Sequence, residues 1–445
     1  MQANSWPKSL VLILILFGIL ATWYAAVTPY RQAGILLGQR DPQTRQRLQV
    51  PDIGAPDERQ HVNYVSQVLE GELPRLVPGD FENYQAHQPP LYYLMGAAIA
   101  TITRQTADPM QLKWPLRGLN IALGLLTLVG VFRLAQLVLD SEPLALAATA
   151  LVGFMPMFLA LHGAASNDPL LFCWMTWALV SLFRALKTGW TSSLCIGLGV
   201  LLGLSVLTKT SGLALWATVG AGVFWSLRRP QKDGKPFVLK TLVQVFGLAL
   251  LIASPWWLRN VQLYGDPLAM RAFNEAFAGS PQASFFIQQM GASTYWVEMV
   301  GWWTARSWVG VFSYMDIFFR PELYAACWLA LLVITLGGVF RLQDLPSESR
   351  PLLGLCLFHA LVVLVLFIQF NSQYFQGQAR YLYPAIGATS VVAAAGLSKL
   401  GQAVEQRGWI VLATLMVLGN VYLLASFLPA QFDLRTVGAS FGGPG

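Results

Sequence analysis

Residues 8–27 read KSLVLILILFGILATWYAAV, an apolar run with one charged residue at its start. A helix needs roughly 20 consecutive apolar residues to cross the hydrocarbon core of a bilayer. Because the run is longer than the apolar part of a usual signal peptide, we interpret it as an uncleaved signal anchor. Further runs of crossing length lie near 117–139, 143–163, 168–187, 190–207, 212–227, 237–258, 322–340, 351–370, 381–398 and 408–428.

The composition indicates the same class of protein. Of 445 residues, 55% are apolar and only 11% are charged, and the mean hydropathy is +0.52. A soluble protein carries about 25% charged residues. We therefore predict an all-α polytopic membrane protein with about 11 transmembrane helices. The net charge of +7 does not indicate a nucleic-acid partner, because the basic residues lie between apolar runs, where the positive-inside rule accounts for them.

The cysteines predict neither a disulfide framework nor a metal site. Each lies inside an apolar run, and none has the spacing of a CxxC pair or of a zinc site. They are Cys173, Cys195, Cys327 and Cys356. We interpret them as small packing residues.

The basic loop 228–240 sets the predicted topology, because it is the strongest cytoplasmic signal in the chain. Counting back from this loop places Lys8 inside and residues 28–90 outside only if the short apolar segment 91–103 does not cross. We therefore predict that 91–103 is a re-entrant or interfacial half-helix. The predicted organisation is a single transmembrane domain, 1–428, with long outer loops at 28–90 and 259–320, followed by a flexible tail, 429–445.

Two adjacent acids, Asp57 and Glu58, lie in the first outer loop at the start of a predicted amphipathic surface helix over 59–73. One interpretation is that they cap this helix, since carboxylates favour its first turn. The other is a carboxylate base beside a membrane-bound substrate. His61 lies one turn further on. A divalent metal held by Asp57, Glu58 and His61 is not excluded, although no metal motif supports it.

Other polar residues fall on the same predicted outer face. His87 and Gln88 precede a Pro-Pro pair, which keeps them extended ahead of the half-helix. Asp168 begins a helix and has the same capping alternative. The remaining candidates lie at the ends of apolar runs: Lys209, Arg259, Asn260, Tyr264, Arg380 and Tyr381. Cations held beside lipid can bind a phosphate, and a carboxylate can activate an acceptor hydroxyl.

In these residues the chain resembles the GT-C superfamily of membrane glycosyltransferases, in the branch of the protein O-mannosyltransferases and bacterial aminoarabinose transferases. The matching motifs, in the family's order, are PDERQHVNY (56–64), HQPPLYYLMG (87–96), SNDPLLF (166–172), LTKTSGL (207–213), PWWLRNVQLYGDP (255–267), SWVGVFSYMD (307–316) and QARYLYPAIGA (378–388). The resemblance implies an enzyme that uses a polyprenyl-phosphate-linked sugar and releases polyprenyl phosphate.

The resemblance also implies roles for single residues. Asp57 matches the catalytic acid of the first outer loop, with Glu58 beside it, and Asp168 matches the acid of the second loop. Phosphate-facing cations fall at Lys209, Arg259 and Arg380. Many aminoarabinose transferases have Lys where this chain has Gln88, so His87 or another cation must make that contact, or the donor differs. We expect the outer loops to recognise the acceptor.

The predicted function is therefore inverting, metal-independent sugar transfer at the outer face of a bacterial inner membrane. Asp57 is the predicted general base, and lipid, glycan and protein all remain open as acceptors. The aromatic stretch 295–319 is either a membrane-interface belt or a wall along the lipid groove. Two other classes remain: a transporter or flippase for a lipid or polar solute, and a non-catalytic subunit of an envelope-assembly complex.

Overall fold

Helices form most of the chain in the computed structural model, which describes residues 6–41, 43–227 and 237–437. The helices are α1 (Lys8–Val27), α2 (Glu58–Leu69), α3 (Leu91–Ile102), α4 (Pro109–Leu139), α5 (Glu142–Gly153), α6 (Pro156–His162), α7 (Asp168–Thr188), α8 (Ser192–Thr208), α9 (Ala214–Leu227), α10 (Phe237–Leu242), α11 (Leu248–Tyr264), α12 (Met270–Ala276), α13 (Ala283–Met290), α14 (Ala292–Thr294), α15 (Trp302–Val309), α16 (Pro321–Arg341), α17 (Arg350–Asn371), α18 (Ile386–Leu397), α19 (Gln402–Tyr422) and α20 (Leu428–Asp433). Two antiparallel strands, β1 (Gly34–Arg40) and β2 (Arg47–Val50), form a hairpin.

The protein is a multi-pass membrane protein, as the composition predicts. In the described part of the chain, seven helices are long and apolar enough to cross a bilayer, and α5 with α6, bent by 64°, makes an eighth if the pair is one span. The other predicted crossings correspond to the shorter helices α8, α9 and α18. A total of about 11 crossings therefore stays a prediction. Most of the basic loop that oriented the chain, residues 228–236, lies outside the described residues.

Segment 91–103 forms α3, a helix of only 12 residues. Arg117, near the start of α4, hydrogen-bonds to the backbone carbonyls of Ala25 and Thr28 at the end of α1. The end of α1 and the start of α4 therefore lie on the same side of the molecule, so α3 does not reverse the direction of the chain. We call this side, where α1 ends and α4 and α7 begin, the loop side.

The amphipathic helix predicted over 59–73 is present as α2, but it lies on protein. Its apolar face, with Val62 and Val65 fully buried, packs against Tyr92 of α3 and Leu116 of α4. The sequence pattern gave the correct period, because an apolar stripe at helical spacing needs a partner. It could not show that the partner would be two other helices of the same chain.

The helices differ strongly in burial. Of the most apolar 18-residue stretch of each helix, 78% is buried in α7, whereas only 17% is buried in α16. This places α7 in the centre of the bundle and leaves much of α16 free to face lipid. Small residues bring α16 close to α18: a Cβ atom on Gly338 would lie 1.8 Å from the carbonyl oxygen of Val392, so no other residue fits there.

The end of the described chain corrects the predicted tail. Residues 428–433 form α20, and the guanidinium of the buried Arg435 pairs with Asp316 at 2.8 Å. The carbonyl of Arg435 also accepts a hydrogen bond from Ile35 of the β hairpin. A flexible tail from residue 429 is therefore wrong for 429–437, because a buried charge pair anchors this segment to the loop side. Residues 438–445 lie outside the described part.

Candidate active site

Asp57 directly precedes the N-terminus of α2, and its side chain points away from the helix. Its backbone is left-handed, with φ of 63°, and its carboxylate makes no capping hydrogen bond to α2. Instead, Oδ2 accepts a hydrogen bond from Nη2 of Arg380 at 2.6 Å. The Asp57 side chain remains 25% exposed. The capping interpretation is therefore wrong for Asp57, and its carboxylate is available to solvent and to a ligand.

Glu58 points in a different direction and is fully enclosed. Its two oxygens accept hydrogen bonds from Nε and Nη2 of Arg117 at 2.8 and 2.7 Å. The backbone N–H of Ala165 donates to the same carboxylate at 2.7 Å. Glu58 and Arg117 are each 1% exposed. Glu58 therefore joins α2 to α4 and to the turn before α7, and its placement argues against a catalytic role.

A second acid–cation pair lies at the start of α7. Nζ of Lys209 donates to Oδ1 of Asp168 at 2.7 Å, and the Asp168 side chain is 4% exposed. Lys209 comes directly after α8. Its backbone is extended, which ends the helix at this residue. The capping alternative also fails for this acid, because no side chain caps the start of α7.

The ring of Tyr381 connects the two pairs. Lys209 Nζ lies 5.3 Å from the ring centroid, and the Arg380 guanidinium carbon lies 5.2 Å from it. Burial alone raises the pKa of Asp57, but the positive charge of Arg380, with a smaller contribution from Lys209, holds it below its ordinary value. Asp57 is therefore ionised at neutral pH. The arrangement is two carboxylates and two cations around one aromatic ring.

The two histidines of the site are neutral at physiological pH. Burial lowers the pKa of His61 to about 3 and that of His87 to about 4. His61 Nδ1 shares a hydrogen bond with the hydroxyl of Tyr93 at 2.9 Å. His87 Nδ1 donates to the carbonyl of Tyr84, and its Nε2 accepts from the amide of Gln88. His87 therefore does not replace the Lys that the resemblance places at the Gln88 position.

Gln88 links this network to the second acid. Its Oε1 accepts a hydrogen bond from the side chain of Asn167, which also donates to the carbonyl of Thr208. Thr208 and Asn167 directly precede Lys209 and Asp168. Gln88 thus connects the half-helix to the turn that carries the second acid–cation pair.

Three further predicted site residues make contacts away from the two acid–cation pairs. The guanidinium of Arg259 donates to the backbone carbonyls of Leu73 and Pro74 and lies 4.8 Å above the ring of Trp256. Asn260 donates to the carbonyl of Pro267, and the hydroxyl of Tyr264 accepts from the backbone N–H of Leu76. These hydrogen bonds hold the loop after α2 against α11. They do not place the three side chains on Asp57 or Asp168.

The sequence analysis did not single out Tyr84, and it included Tyr314 only within the aromatic stretch 295–319. Burial, followed by the negative charge of Asp57, raises the pKa of the hydroxyls of Tyr84 and Tyr314, so both tyrosines are electrostatically coupled to that carboxylate. Arg117 was also missed. The sequence could have indicated that Arg117 has a buried partner, because a lone Arg inside an apolar run requires one.

The possible metal set does not assemble. Asp57 faces Arg380, Glu58 faces Arg117, and His61 faces Tyr93, so the three side chains diverge. Within the described ranges, no group of three or more His, Cys, Asp or Glu side chains could hold a metal ion.

The chain resembles known proteins both in sequence and in structure. Residues 97–265 match the family described as dolichyl-phosphate-mannose-protein mannosyltransferase. The structure resembles the oligosaccharyltransferase AglB of Archaeoglobus fulgidus, solved with an inhibitory peptide and a dolichol-phosphate, with a TM-score of 0.57 and 16% identity over 99% of this chain. It also resembles ArnT of Cupriavidus metallidurans bound to undecaprenyl phosphate, with a TM-score of 0.50 and 12% identity over 95% of this chain.

The fold is that of the GT-C membrane glycosyltransferases. This confirms the predicted fold class. The chain spans 57% of the length of AglB and 72% of that of ArnT. Among curated proteins, no sequence matches the chain. In the GT-C fold, the two acid–cation pairs lie on the loop side, between the starts of α2 and α7.

Proposed function

We propose that the protein transfers a sugar from a polyprenyl-phosphate-linked donor to an acceptor, at the face of a bacterial inner membrane that points to the periplasm or cell exterior. The observation that supports this most is the convergence of Asp57–Arg380 and Asp168–Lys209 on Tyr381. Two cations within reach of one another suit a phosphate at the membrane surface. The lipid phosphates named for AglB and ArnT agree with this donor class.

In the proposed reaction, Arg380 and Lys209 bind the donor phosphate. The acceptor hydroxyl attacks the anomeric carbon from the side opposite the phosphate, so the configuration inverts. As the new C–O bond forms, the bond to the phosphate oxygen breaks, and Asp57 takes the hydroxyl proton. The polyprenyl phosphate that leaves carries the developing negative charge, which the two cations stabilise.

The pairing of Asp57 with Arg380 suggests how donor binding prepares the base. Without the donor, Arg380 keeps the pKa of Asp57 low, which makes this carboxylate a weak proton acceptor. A bound phosphate competes for the same guanidinium. Its arrival loosens the contact with Asp57 and makes the carboxylate more basic. The proton acceptor is therefore strengthened when the donor is in place.

The surrounding helices suit a lipid donor. The half-helix α3 borders the site through Tyr93, together with His87 and Gln88, which precede it. The aromatic stretch 295–319 brings Tyr314 close to Asp57 and leaves Trp302 43% exposed on the surface. We propose that these two elements line the groove for the polyprenyl chain. The charged groups gather on the loop side instead of following a path across the bundle, which favours the enzyme over a transporter.

The test is sugar transfer by purified Asp57→Asn protein with a polyprenyl-phosphate-linked donor, measured as release of polyprenyl phosphate. We expect the release to fall to a small fraction of the wild-type rate. Glu72→Gln is the matched control, because Glu72 is an exposed carboxylate of the same loop. A wild-type rate in Asp57→Asn would exclude Asp57 as the base.

A further inference from the structure

A second concave surface lies on the loop side, beyond the acid–cation pairs. It is a cavity of about 430 Å³ between α12, the start of α13 and the segment after α17. This volume falls within the ~300–1,000 Å³ typical of small-molecule sites. Its polar lining consists of Asn274, Gln282, Ser284, Ser372, Gln373 and Tyr374.

Backbone contacts hold the walls of this cavity in place. The N–H of Ala283 donates to the carbonyl of Gln373, and the N–H of Phe375 donates to the carbonyl of Pro281, each at 2.9 Å. The hydroxyl of Tyr374 donates to Oδ1 of Asn274 at 3.0 Å, which fixes α12 against the segment after α17. The cavity is therefore built from connected elements of the fold.

The cavity offers hydrogen-bonding groups but no charge. Oδ1 of Asn274 accepts a hydrogen bond from Tyr374, and its Nδ2 group has no hydrogen-bond partner among the described residues. Gln282 uses its Nε2 group on backbone carbonyls and leaves Oε1 free to accept. No charged side chain lines the cavity in the described part of the chain. Free amides and hydroxyls without charge suit a neutral polyol better than a phosphate or a carboxylate.

One layer of aromatic rings separates this cavity from the acid–cation pairs. Phe273 packs against Tyr374 at 5.7 Å on one side and against His87 at 5.0 Å on the other. Phe370 similarly packs against Tyr374 at 5.9 Å and against Tyr381 at 5.5 Å. A ligand seated in the cavity therefore lies one ring layer from the residues that face the donor phosphate.

We propose that this cavity binds a neutral saccharide unit of the acceptor, one or more sugar units from the hydroxyl that is glycosylated. The inference rests on the proposed function, since the cavity serves an acceptor only if the protein transfers sugar. It assigns the acceptor to the class of neutral glycans. An acceptor with phosphate or carboxylate groups at this distance would meet no cation in the cavity.

The experiment measures saccharide binding to purified full-length protein in detergent by saturation-transfer NMR titration. The probes are the neutral trisaccharides mannotriose, maltotriose and N-acetylchitotriose, with trigalacturonate as the anionic comparison. We expect at least one neutral trisaccharide to bind and trigalacturonate not to bind. In Asn274→Ala/Gln373→Ala protein, the Kd should rise about tenfold, as expected for the loss of two polar contacts. Gln289→Ala, an exposed glutamine of α13 outside the cavity, should keep the wild-type Kd.

A second variant guards against misfolding, because Asn274 also receives the Tyr374 hydroxyl. Ser284→Trp fills the cavity and leaves the Asn274–Tyr374 contact in place, so it should abolish binding while the thermal melt stays unchanged. The proposal fails if no neutral trisaccharide binds, if trigalacturonate binds as well as the neutral probes, or if binding survives Ser284→Trp.

The two proposals fail separately. Asp57→Asn protein should bind the trisaccharide with wild-type Kd and yet transfer no sugar. If Asp57→Asn transfers normally while the cavity variants lose binding, the base assignment is wrong and the saccharide site stands. If the cavity variants bind normally while Asp57→Asn is inactive, the saccharide site is wrong and the transferase stands.

Discussion

Asp57 and Glu58 are neighbours in sequence, each pairs with an arginine, and their surroundings separate their roles. The Asp57–Arg380 pair makes one hydrogen bond, and the Asp57 side chain is 25% exposed. The Glu58–Arg117 pair makes two, and its side chains are 1% and 2% exposed. In the proposed function, the first pair opens to admit the donor phosphate. If the Glu58–Arg117 pair opened, no solvent could replace the hydrogen bonds that it would lose.

The backbone explains why adjacent acids diverge. The left-handed conformation of Asp57 breaks the helical direction before α2 begins, so the two side chains leave the chain on different sides. Aspartate tolerates this conformation better than most residues. The Glu58–Arg117 pair then fixes the first turn of α2, and with it the position of Asp57. A partly exposed carboxylate is thus held in place by a buried one.

Removing the two carboxylates separately is the strongest test of the different roles assigned to Asp57 and Glu58. We expect Asp57→Asn to lower the rate of sugar transfer by about 10²–10⁴-fold, the usual contribution of a general base. Its thermal melting temperature in detergent should fall less than that of Glu58→Gln, because the Asp57 side chain is partly exposed although Arg380 is only 9% exposed. Initial rates of polyprenyl phosphate release, with melting curves of the same preparations, provide the measurement. A large loss of stability with normal chemistry would reverse the assigned roles.

Glu58→Gln should have the opposite effects: a large loss of stability and little direct effect on the chemical step. It leaves the Arg117 guanidinium buried without a counter-charge, which destabilises a protein by about 3–5 kcal/mol. We expect a clearly lower melting temperature and poor recovery from the membrane, with loss of activity in proportion to the loss of folded protein.

The double substitution Glu58→Gln/Arg117→Met sharpens that prediction. Replacing Arg117 by Met removes the buried charge that Glu58→Gln leaves without a partner. The double variant should therefore melt above Glu58→Gln alone. Equal melting temperatures for the single and double variants would show that the uncompensated charge is not the cause.

Much of this architecture could be predicted from sequence because its signals are local. Apolar runs gave the long helices, and the charge count predicts that α3 does not cross, which agrees with the contact between the end of α1 and the start of α4. The resemblance singled out Asp57 as the base, but the residues alone did not separate it from Glu58, because the difference depends on Arg117, which lies 59 residues from Glu58 along the chain. Side-chain chemistry alone makes the two acids equivalent.

The contacts of Arg259 have a related cause. Its position after PWWL predicts a cation near the membrane surface, and its role at the donor phosphate stays a prediction. Its Nη2 donates to the backbone carbonyls of Leu73 and Pro74, which a sequence pattern does not reveal. The polar cavity at Asn274 was missed because its walls come from three separate segments, none of which carries a charged motif.

The second acid–cation pair should respond less strongly than Asp57. We expect Lys209→Met to lower kcat/KM for the donor by about 10–100-fold, since a hydrogen bond from a charged group contributes about 1.5–3 kcal/mol. Asp168→Asn should have a smaller effect, because Asp168 pairs with Lys209 and has no contact with the donor in the proposed reaction. Lys187→Met, at the exposed end of α7, is the matched control. Equal effects of Lys209→Met and Lys187→Met would remove Lys209 from the donor site.

The smallest expected effect is a pH dependence of stability from His61. Its pKa is about 3 in the folded protein and about 6.5 when unfolded, so between these values the unfolded chain binds a proton that the folded chain does not. Stability therefore falls as the pH drops below about 6.5, by about 1 kcal/mol from His61 at pH 5.5. Asp57, whose pKa is lowered, loses its contribution only at more acidic pH. Melting temperatures at pH 7.5 and 5.5 should differ less in His61→Gln than in wild type, and an unchanged difference would mean that His61 is already protonated in the folded protein.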